Sequence, residues 1–314
     1  MSGEHAIAWG LWIVTFFAIG VYATAALDLL IGRMVARQPL EAGTALRRPA
    51  QIAALLLVQR PTRTERPDMA LWFLAPALLA SLATGILAAI PIGPSGAAPP
   101  IDAGIVYVGA LMALVMVAVY LHGWAPNSLF PLVGGYRFVA LALSYEMPLA
   151  LVLIAAALPA QSLAIDAIVR SQAGVWNIVR QPLGLPLYLV AMLGLAFRGP
   201  LNVPDAADLA GGTTAEPSGV DLLLWRVARD AILVAAAALG AAAFLGGWMG
   251  PWLPGGVWLI GKTLALVTLV LIVSHLLGRV RLERFVVIAW AVLIPLALLD
   301  VFAAGVIALL GARP

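Results

Sequence analysis

The sequence is organised around one carboxylate. Glu146 lies within Arg137-Phe-Val-Ala-Leu-Ala-Leu-Ser-Tyr-Glu-Met-Pro-Leu-Ala-Leu-Val152, a run that is otherwise apolar and has no adjacent countercharge. A carboxyl group in a low-dielectric setting can take up and release a proton when its surroundings rehydrate. An acid in such a run therefore points to an ion path, a proton relay or a bundle-internal pair. Ser144 and Tyr145 set hydroxyls beside it, and Pro148, which has no N–H, frees the carbonyl of Ser144 one turn back. The plainer alternative is a protonated packing acid that bridges two helices. A second acidic group follows in 198–229, where Asp205, Asp208, Glu216 and Asp221 supply four of the fifteen carboxylates. Lys262, the only lysine, sits in another apolar run, as a buried cation paired with a carboxylate or as a snorkelling side chain. Asp28, Asp230 and Asp300 fall near the ends of apolar runs. Asp230, next to Arg229 and the acidic loop, is the one of these best placed to couple to that loop.

These residues require a membrane around them. The 314-residue chain is 63% hydrophobic and 11% charged, with mean hydropathy +1.03. Soluble domains carry roughly 25% charged residues, so the composition is that of an integral membrane protein. The net charge of +3 rests on few charges and reads as a topology signal rather than a nucleic-acid surface. With no cysteine, the chain alone cannot ligate an Fe–S cluster or perform thiol chemistry. His5, His122 and His275 are scattered and read as capping or packing residues, not a metal site. No Walker A loop, dinucleotide fingerprint, His-Glu-x-x-His or nucleophile elbow occurs. The chain contains no complete redox or hydrolytic site.

A bilayer span needs about 20 apolar residues. The sequence predicts an all-α polytopic membrane protein, a single domain over 1–314, with about eight transmembrane helices. These fall near 7–31, 69–91, 103–122, 138–160, 182–198, 228–249, 256–277 and 285–310. Continuous apolarity without period-two alternation argues against a barrel. The first run is too long, and too poor in preceding basic residues, for a cleaved signal peptide. Between the first two spans, residues 49–60 form an apolar segment too short to cross, ended by Pro61; it reads as an interfacial helix. Fourteen of the eighteen basic residues fall on one side, which places the Arg-rich loops in the cytoplasm and both termini outside.

Several motifs in order resemble a known family. Gly123-Trp-Ala-x-Asn-Ser128, Gly134-x-x-Arg137 and Ser144-Tyr-Glu-x-Pro-Leu149 look like the signature of the H-type (subunit 1) family. That family covers the membrane-arm subunit of respiratory complex I that adjoins the peripheral arm, and its relatives in membrane-bound energy-converting hydrogenases. Gly32-Arg33-Met34 with Arg37, Pro204-Asp-Ala, Glu216-x-Ser-Gly219, Lys262 and Trp290 also fit. Three elements depart from the family pattern. Pro200-Leu-Asn-Val-Pro-Asp-Ala-Ala-Asp208 replaces a loop richer in glutamate, Gln38-Pro-Leu-Glu41 replaces Gly-Pro-Asn-Arg, and Arg281-Leu-Glu-Arg284 replaces Arg-Tyr-Asp-Gln.

The resemblance implies a membrane-arm subunit of a complex I-like, proton-translocating NADH:quinone oxidoreductase, linking the peripheral redox arm to the proton path. Glu146, Asp205, Asp208 and Glu216 would then belong to that path, and Arg33 and Arg37 would lie near the quinone entrance. Tyr145, Arg137, Lys262 and Asp230 would be accessory. It further implies no cofactor bound by this chain alone, with quinone at an interface with partner subunits. The partners would be other membrane-arm subunits, peripheral Fe–S and quinone-site subunits and the lipid bilayer of a bacterial-type inner membrane, with no nucleic acid. A hydrogenase or formate-hydrogenlyase type complex without quinone is the alternative within the family. A stand-alone secondary transporter or a membrane scaffold is the alternative outside it.

Overall fold

The computed structural model describes residues 3–39, 42–93, 101–206 and 211–311. Among these the regular structure is entirely helical: α1 (Gly3–Val35), α2 (Ala42–Val58), α3 (Met69–Ala88), α4 (Gly104–Trp124), α5 (Leu129–Ala157), α6 (Ile165–Arg170), α7 (Asn177–Arg180), α8 (Gly184–Leu195), α9 (Gly219–Phe244), α10 (Gly255–Leu276), α11 (Leu282–Ile288) and α12 (Ile294–Gly311). A π-helical turn, Ala289–Leu293, joins α11 to α12. It lies just before Pro295, whose ring cannot serve as an N–H donor to the preceding turn. Seven described helical segments are long and apolar enough to cross a bilayer: Trp9–Val35, Met69–Ala88, Gly104–Trp124, Leu129–Ala160, Gly219–Phe244, Gly255–Leu276 and Leu282–Leu310. The chain is an all-α integral membrane protein.

The span expected at 182–198 is shorter than the sequence suggests. Its helix, α8, has 12 residues, or roughly 18 Å at 1.5 Å per residue, against a hydrocarbon core of about 30 Å. Pro182 precedes it and a sharp turn at 196–201 ends it. The helix is enclosed by α5 and α9, so protein rather than lipid covers its ends.

α9 is the central post, buried along nearly its whole length and packed against α3, α10, α1, α2 and α8. Its second half is built from alanine, including Ala235–Ala238 and Ala241–Ala243. Small side chains let neighbouring backbones approach closely, the main source of helix association in lipid. Tyr188 of α8 exploits this approach, and its hydroxyl donates to the Ala236 carbonyl at 2.7 Å.

Two helices begin well before their expected starts. α5 begins at Leu129 rather than 138, behind Ser128, and α9 begins at Gly219 rather than 228. Apolar windows miss these first turns because they contain glycine or charge. In α5 the glycines are packing devices. A β-carbon on Gly134 would lie 2.7 Å from both Pro204 O and Thr213 N, and Gly135 sits against Gly123 of α4, where a β-carbon would lie 2.6 Å from the Pro131 carbonyl oxygen. In α9 Asp221 of the first turn pairs with Arg63 at 3.3 Å.

The segment expected at 49–60 as an interfacial helix is the helix α2, which starts early, at Ala42, with Pro49 inside it. It rests on α1 and α9, and Tyr22 of α1 donates its hydroxyl to the Leu46 carbonyl. Loops at this end are stitched together. Thr62 N and its hydroxyl meet Ser218 Oγ at 2.7 Å, Asp68 N donates to Ala125 O at 2.8 Å, and Val280 N donates to Pro200 O at 2.9 Å. At the opposite end Ile105 N donates to Leu163 O at 2.9 Å.

Candidate functional site

The turn after α8 builds the main charge cluster. Phe197 has φ 37° and Gly199 φ 54°, left-handed values that a bulky residue rarely adopts and that glycine adopts freely. Gly199 rides directly on the Ser274 backbone of α10, leaving no room for a β-carbon. The reversal turns Arg198 inward, where it is only 8% exposed. One arm of its guanidinium donates to Asp28 Oδ2 of α1 at 2.9 Å and the other to Asp230 Oδ1 of α9. Burial alone would lower its pKa, but Asp230 and Asp28 outweigh that and hold it above the ordinary guanidinium value, so Arg198 stays charged. The second oxygen of Asp28 meets His275 Nε2 at 2.9 Å.

Arg229 extends the cluster. It donates to Asp205 Oδ2 at 3.1 Å, and Asp205 Oδ1 accepts the Thr213 hydroxyl at 2.5 Å. Its Nε lies 3.7 Å from Asp230 Oδ1. Two guanidinium groups and one imidazole thus face three carboxylates drawn from α1, α9, α10 and the 196–218 connector.

This cluster forms one wall of a cavity of about 690 Å³ between α1, α2 and α9. Phe17, Val21, Ile52 and Leu56 make the opposite wall apolar, while Arg198, Asp205, Arg226, Arg229 and Asp230 make the inner wall polar. A few convergent polar groups facing apolar surface is the usual make-up of a small-molecule site. A recess of about 460 Å³ shares Asp28 and is lined by Arg33, Gln38, Arg48 and His275.

Glu146 is not part of this cluster. It lies mid-way along α5, half-buried, and its enclosed Oε1 has no hydrogen-bond partner among the described residues. The neighbouring Tyr145 is fully buried, and its hydroxyl is likewise unpartnered among them. A row of ring contacts leads from Tyr145, next to Glu146 in the chain, to the cavity wall. Tyr145 meets Phe138 at 6.4 Å between ring centroids, and Phe138 meets Phe197 edge-on at 5.4 Å. Phe197 lies under the Arg229 guanidinium at 5.9 Å and beside Trp225 at 6.1 Å. Trp225 in turn stacks on His122 at 3.6 Å. Among the described residues no side-chain hydrogen-bond chain crosses from Asp205 to Glu146.

The other residues singled out by sequence scatter. Asp205 and Asp230 line the cavity, and Arg33 lines the recess. Arg37 is exposed at the end of α1 with φ 53° and lines neither space. Asp208 lies outside the described residues. Glu216 accepts the Ser128 hydroxyl at 3.0 Å, which ties the connector to the start of α5. Arg137 donates to Gly211 O at 3.2 Å in the same connector.

Lys262 belongs to the far end of the bundle. Its ammonium donates to the carbonyls of Leu245, Gly247 and Met249 at 2.6, 3.0 and 2.6 Å, with the Trp176 ring 4.4 Å away. These carbonyls follow the last turn of α9, so the ammonium acts as a cap on that helix. Among the described residues no carboxylate pairs with it.

Sequence reasoning leaves out Arg198 and His275 as site residues and reads Asp28 as interfacial. Arg198 carries one signal, an arginine joined directly to Gly199-Pro200 at the end of an apolar helix. Asp28 and His275 carry none, because their partners are 170 and 247 residues away. Among the described residues no group of three or more His, Cys, Asp or Glu side chains is placed to hold a metal ion.

Comparison with known proteins places the chain in a family. A family model described as NADH dehydrogenase matches residues 7–305. The chain is 36% identical over 265 residues to the first of the H-type subunits of NADH-quinone oxidoreductase in Geobacter metallireducens, covering 81% of this chain and 80% of that one. It is 34% identical over 251 residues to the second H-type subunit of Rhodopseudomonas palustris, covering 78% and 79%. A longer match, 30% over 308 residues and 93% and 92% of the two chains, is to the H-type subunit of Syntrophotalea carbinolica. The chain belongs to the H-type subunit family of NADH-quinone oxidoreductase, as a divergent member of it.

Proposed function

We propose that this chain provides the membrane side of a quinone site in a complex I-like proton-translocating oxidoreductase and carries part of the proton path that the site drives. The observation that carries this reading is the cavity between α1, α2 and α9, apolar on one wall and ion-paired on the other. Its residues fit an amphiphilic quinone. Phe17, Val21, Ile52 and Leu56 would hold the hydrocarbon tail, while Arg198, Arg226 and Arg229 would face the oxygenated head, which a partner subunit encloses. A quinone bound there supplies two-electron chemistry that takes up two protons on reduction. The chain's own role is electrostatic and positional. Arg198 and Arg229 hold Asp28, Asp205 and Asp230 in register, so a change of charge in the cavity acts on a connected set of groups.

The link to Glu146 runs through Arg229, Phe197 and Phe138. A shift of Arg229 away from Asp205 releases the ring beneath it and opens the aromatic row to water. Glu146 then exchanges its proton with the cavity side. In this reading the Arg-rich end faces the cytoplasm and both termini lie outside. Arg33 flanks the quinone entrance, and Glu216, with Asp208 of the same connector, belongs to the acidic approach.

A photoreactive quinone analogue tests the reading on the purified native complex. Labelling should map to peptides of α1, α2 and α9 and be competed away by excess quinone. Recovery of the chain as a lone stable monomer, or label confined to other subunits, would contradict it. Co-purification with a nickel-site subunit and no labelling would select the hydrogenase-type alternative.

A further inference from the structure

At the end of the bundle away from the cavity, the connector between α5 and α8 folds inward and is sealed by side-chain amides. Gln172 is fully used. Its Nε2 donates to Ile168 O and Ala242 O at 3.2 and 2.8 Å, and its Oε1 accepts from the backbone N–H of Asn177 and of Gly246 at 3.2 and 2.9 Å. The next two amides are only half used. Asn177 Nδ2 donates to Ala156 O and Ala243 O at 3.2 and 2.8 Å, and Gln181 Nε2 donates to Ala155 O at 2.6 Å. Carbonyl oxygens can only accept, so both amides have a fixed orientation. Asn177 Oδ1 and Gln181 Oε1 are left enclosed without a donor from the described residues.

Asp300 of α12 adds a third such oxygen, its Oδ2. Asn177, Gln181 and Asp300 are 0, 1 and 2% exposed. They share one small region. A β-carbon built on Gly184 would stand 3.1 Å from Asp300 Oδ2 and 3.6 Å from Gln181 Cβ. Asn177 lies one turn before Gln181, and its carbonyl accepts the Gln181 N–H at 2.7 Å.

No described cation neutralises this carboxyl group. α12 packs on α5, α8, the turn at 158–160 and the π-helical turn, whose titratable groups are Arg137, Tyr145, Glu146 and Tyr188, and α7 adds Arg180, which donates to the Ser171 carbonyl at 2.9 Å. Arg137 is engaged by Gly211 O and Tyr188 by Ala236 O, while Tyr145 and Glu146 make no hydrogen bond to Asp300. Buried polar atoms are normally paired, so three neighbouring enclosed acceptors without a donor among the described residues call for a ligand that satisfies acceptors. A single carboxylate sets the ligand's charge at one, and hard, neutral amide oxygens set its type.

We propose that Asp300, Gln181 and Asn177 form a binding site for one small monovalent cation, a proton or a sodium ion. The site shares no residue with the cavity or with Glu146 and stands independently of the quinone reading.

Infrared difference spectroscopy of the purified native complex, wild type minus Asp300→Asn, tests it. A protonated-carboxyl band that shifts in D2O and is lost in the variant identifies the proton. A carboxylate band that shifts when sodium chloride replaces choline chloride at equal ionic strength identifies sodium. A carboxylate band indifferent to sodium overturns the proposal. Where Asp300→Asn prevents assembly, Gln181→Leu is compared with the wild type. Loss of the amide oxygen should shift whichever of the two bands is present, and an unmoved band overturns the proposal.

Discussion

Asp230 and Glu146 are both acids within membrane-spanning helices, and the protein treats them in opposite ways. Asp230 shares Arg198 with Asp28 and lies close to Arg229, inside a cluster where each acid has a basic partner. Glu146 has an enclosed oxygen with no partner among the described residues, and only ring contacts starting at its neighbour Tyr145 lead toward that cluster. A carboxylate held between guanidinium groups is a fixed charge that shapes a cavity. A carboxyl group with no countercharge can change its protonation without breaking an ion pair. Under the proposed function, the difference separates the part of the molecule that would position a ligand from the part that would carry a proton.

The comparison breaks most severely at Arg198. Arg198→Ala removes the guanidinium that buried Asp230 and half-buried Asp28 share, leaving Asp230 only the Arg229 Nε at 3.7 Å and Asp28 only His275, a change expected to cost up to about 3–5 kcal/mol. The complex should then lose this subunit in blue-native gels or unfold at clearly lower temperature. Wild-type stability would mean that the cluster is not held by its charge. Lys262→Met deprives three carbonyls of their common donor at the other end of the bundle, at about 1–3 kcal/mol. It should lower thermal stability while leaving quinone-analogue labelling of α1, α2 and α9 intact, because Lys262 is remote from the cavity lining. Loss of labelling at full stability would join the two ends functionally.

Gly134→Ala sharpens the comparison at the connector. Its β-carbon would press on Pro204 O and Thr213 N, 2.7 Å away, and shift the stretch of chain that holds Asp205. Overpacking of this kind costs about 1–3 kcal/mol. Hydrogen exchange should rise in the 199–218 connector and stay unchanged around Glu146. At the small end, Arg37→Ala removes an exposed cation that lines neither space, and stability should change by no more than about 0.5 kcal/mol. A large fall in quinone reduction in this variant would extend the entrance beyond the two cavities.

Much of the architecture is visible in local windows, because lipid demands long apolar helices. Glu146 is visible for the same reason, as an acid that breaks such a window. What local windows hide is charge satisfied at long range. The first turns of α5 and α9 look like loop because Arg137, Asp221 and Arg226 count against a membrane helix when read alone. In the fold Asp221 pairs with Arg63 and Arg137 donates to the Gly211 carbonyl, and those charges cease to be exceptional. Lys262 is equally opaque. Its partners are backbone carbonyls, and a sequence does not reveal which carbonyls a turn exposes. Gln172, Asn177 and Gln181 carry no charge and lie in a polar connector, so nothing in composition distinguishes them from ordinary loop residues.

The most direct test of the division between fixed and mobile acids is Glu146→Gln in the native complex, reconstituted into sealed proteoliposomes. Glutamine keeps the size of the side chain and cannot release the proton. The account predicts assembly and electron transfer near wild type when the proton gradient is collapsed by uncoupler, with proton translocation abolished or strongly reduced. Proton translocation at the wild-type ratio to electron transfer would contradict it and reduce Glu146 to a packing residue.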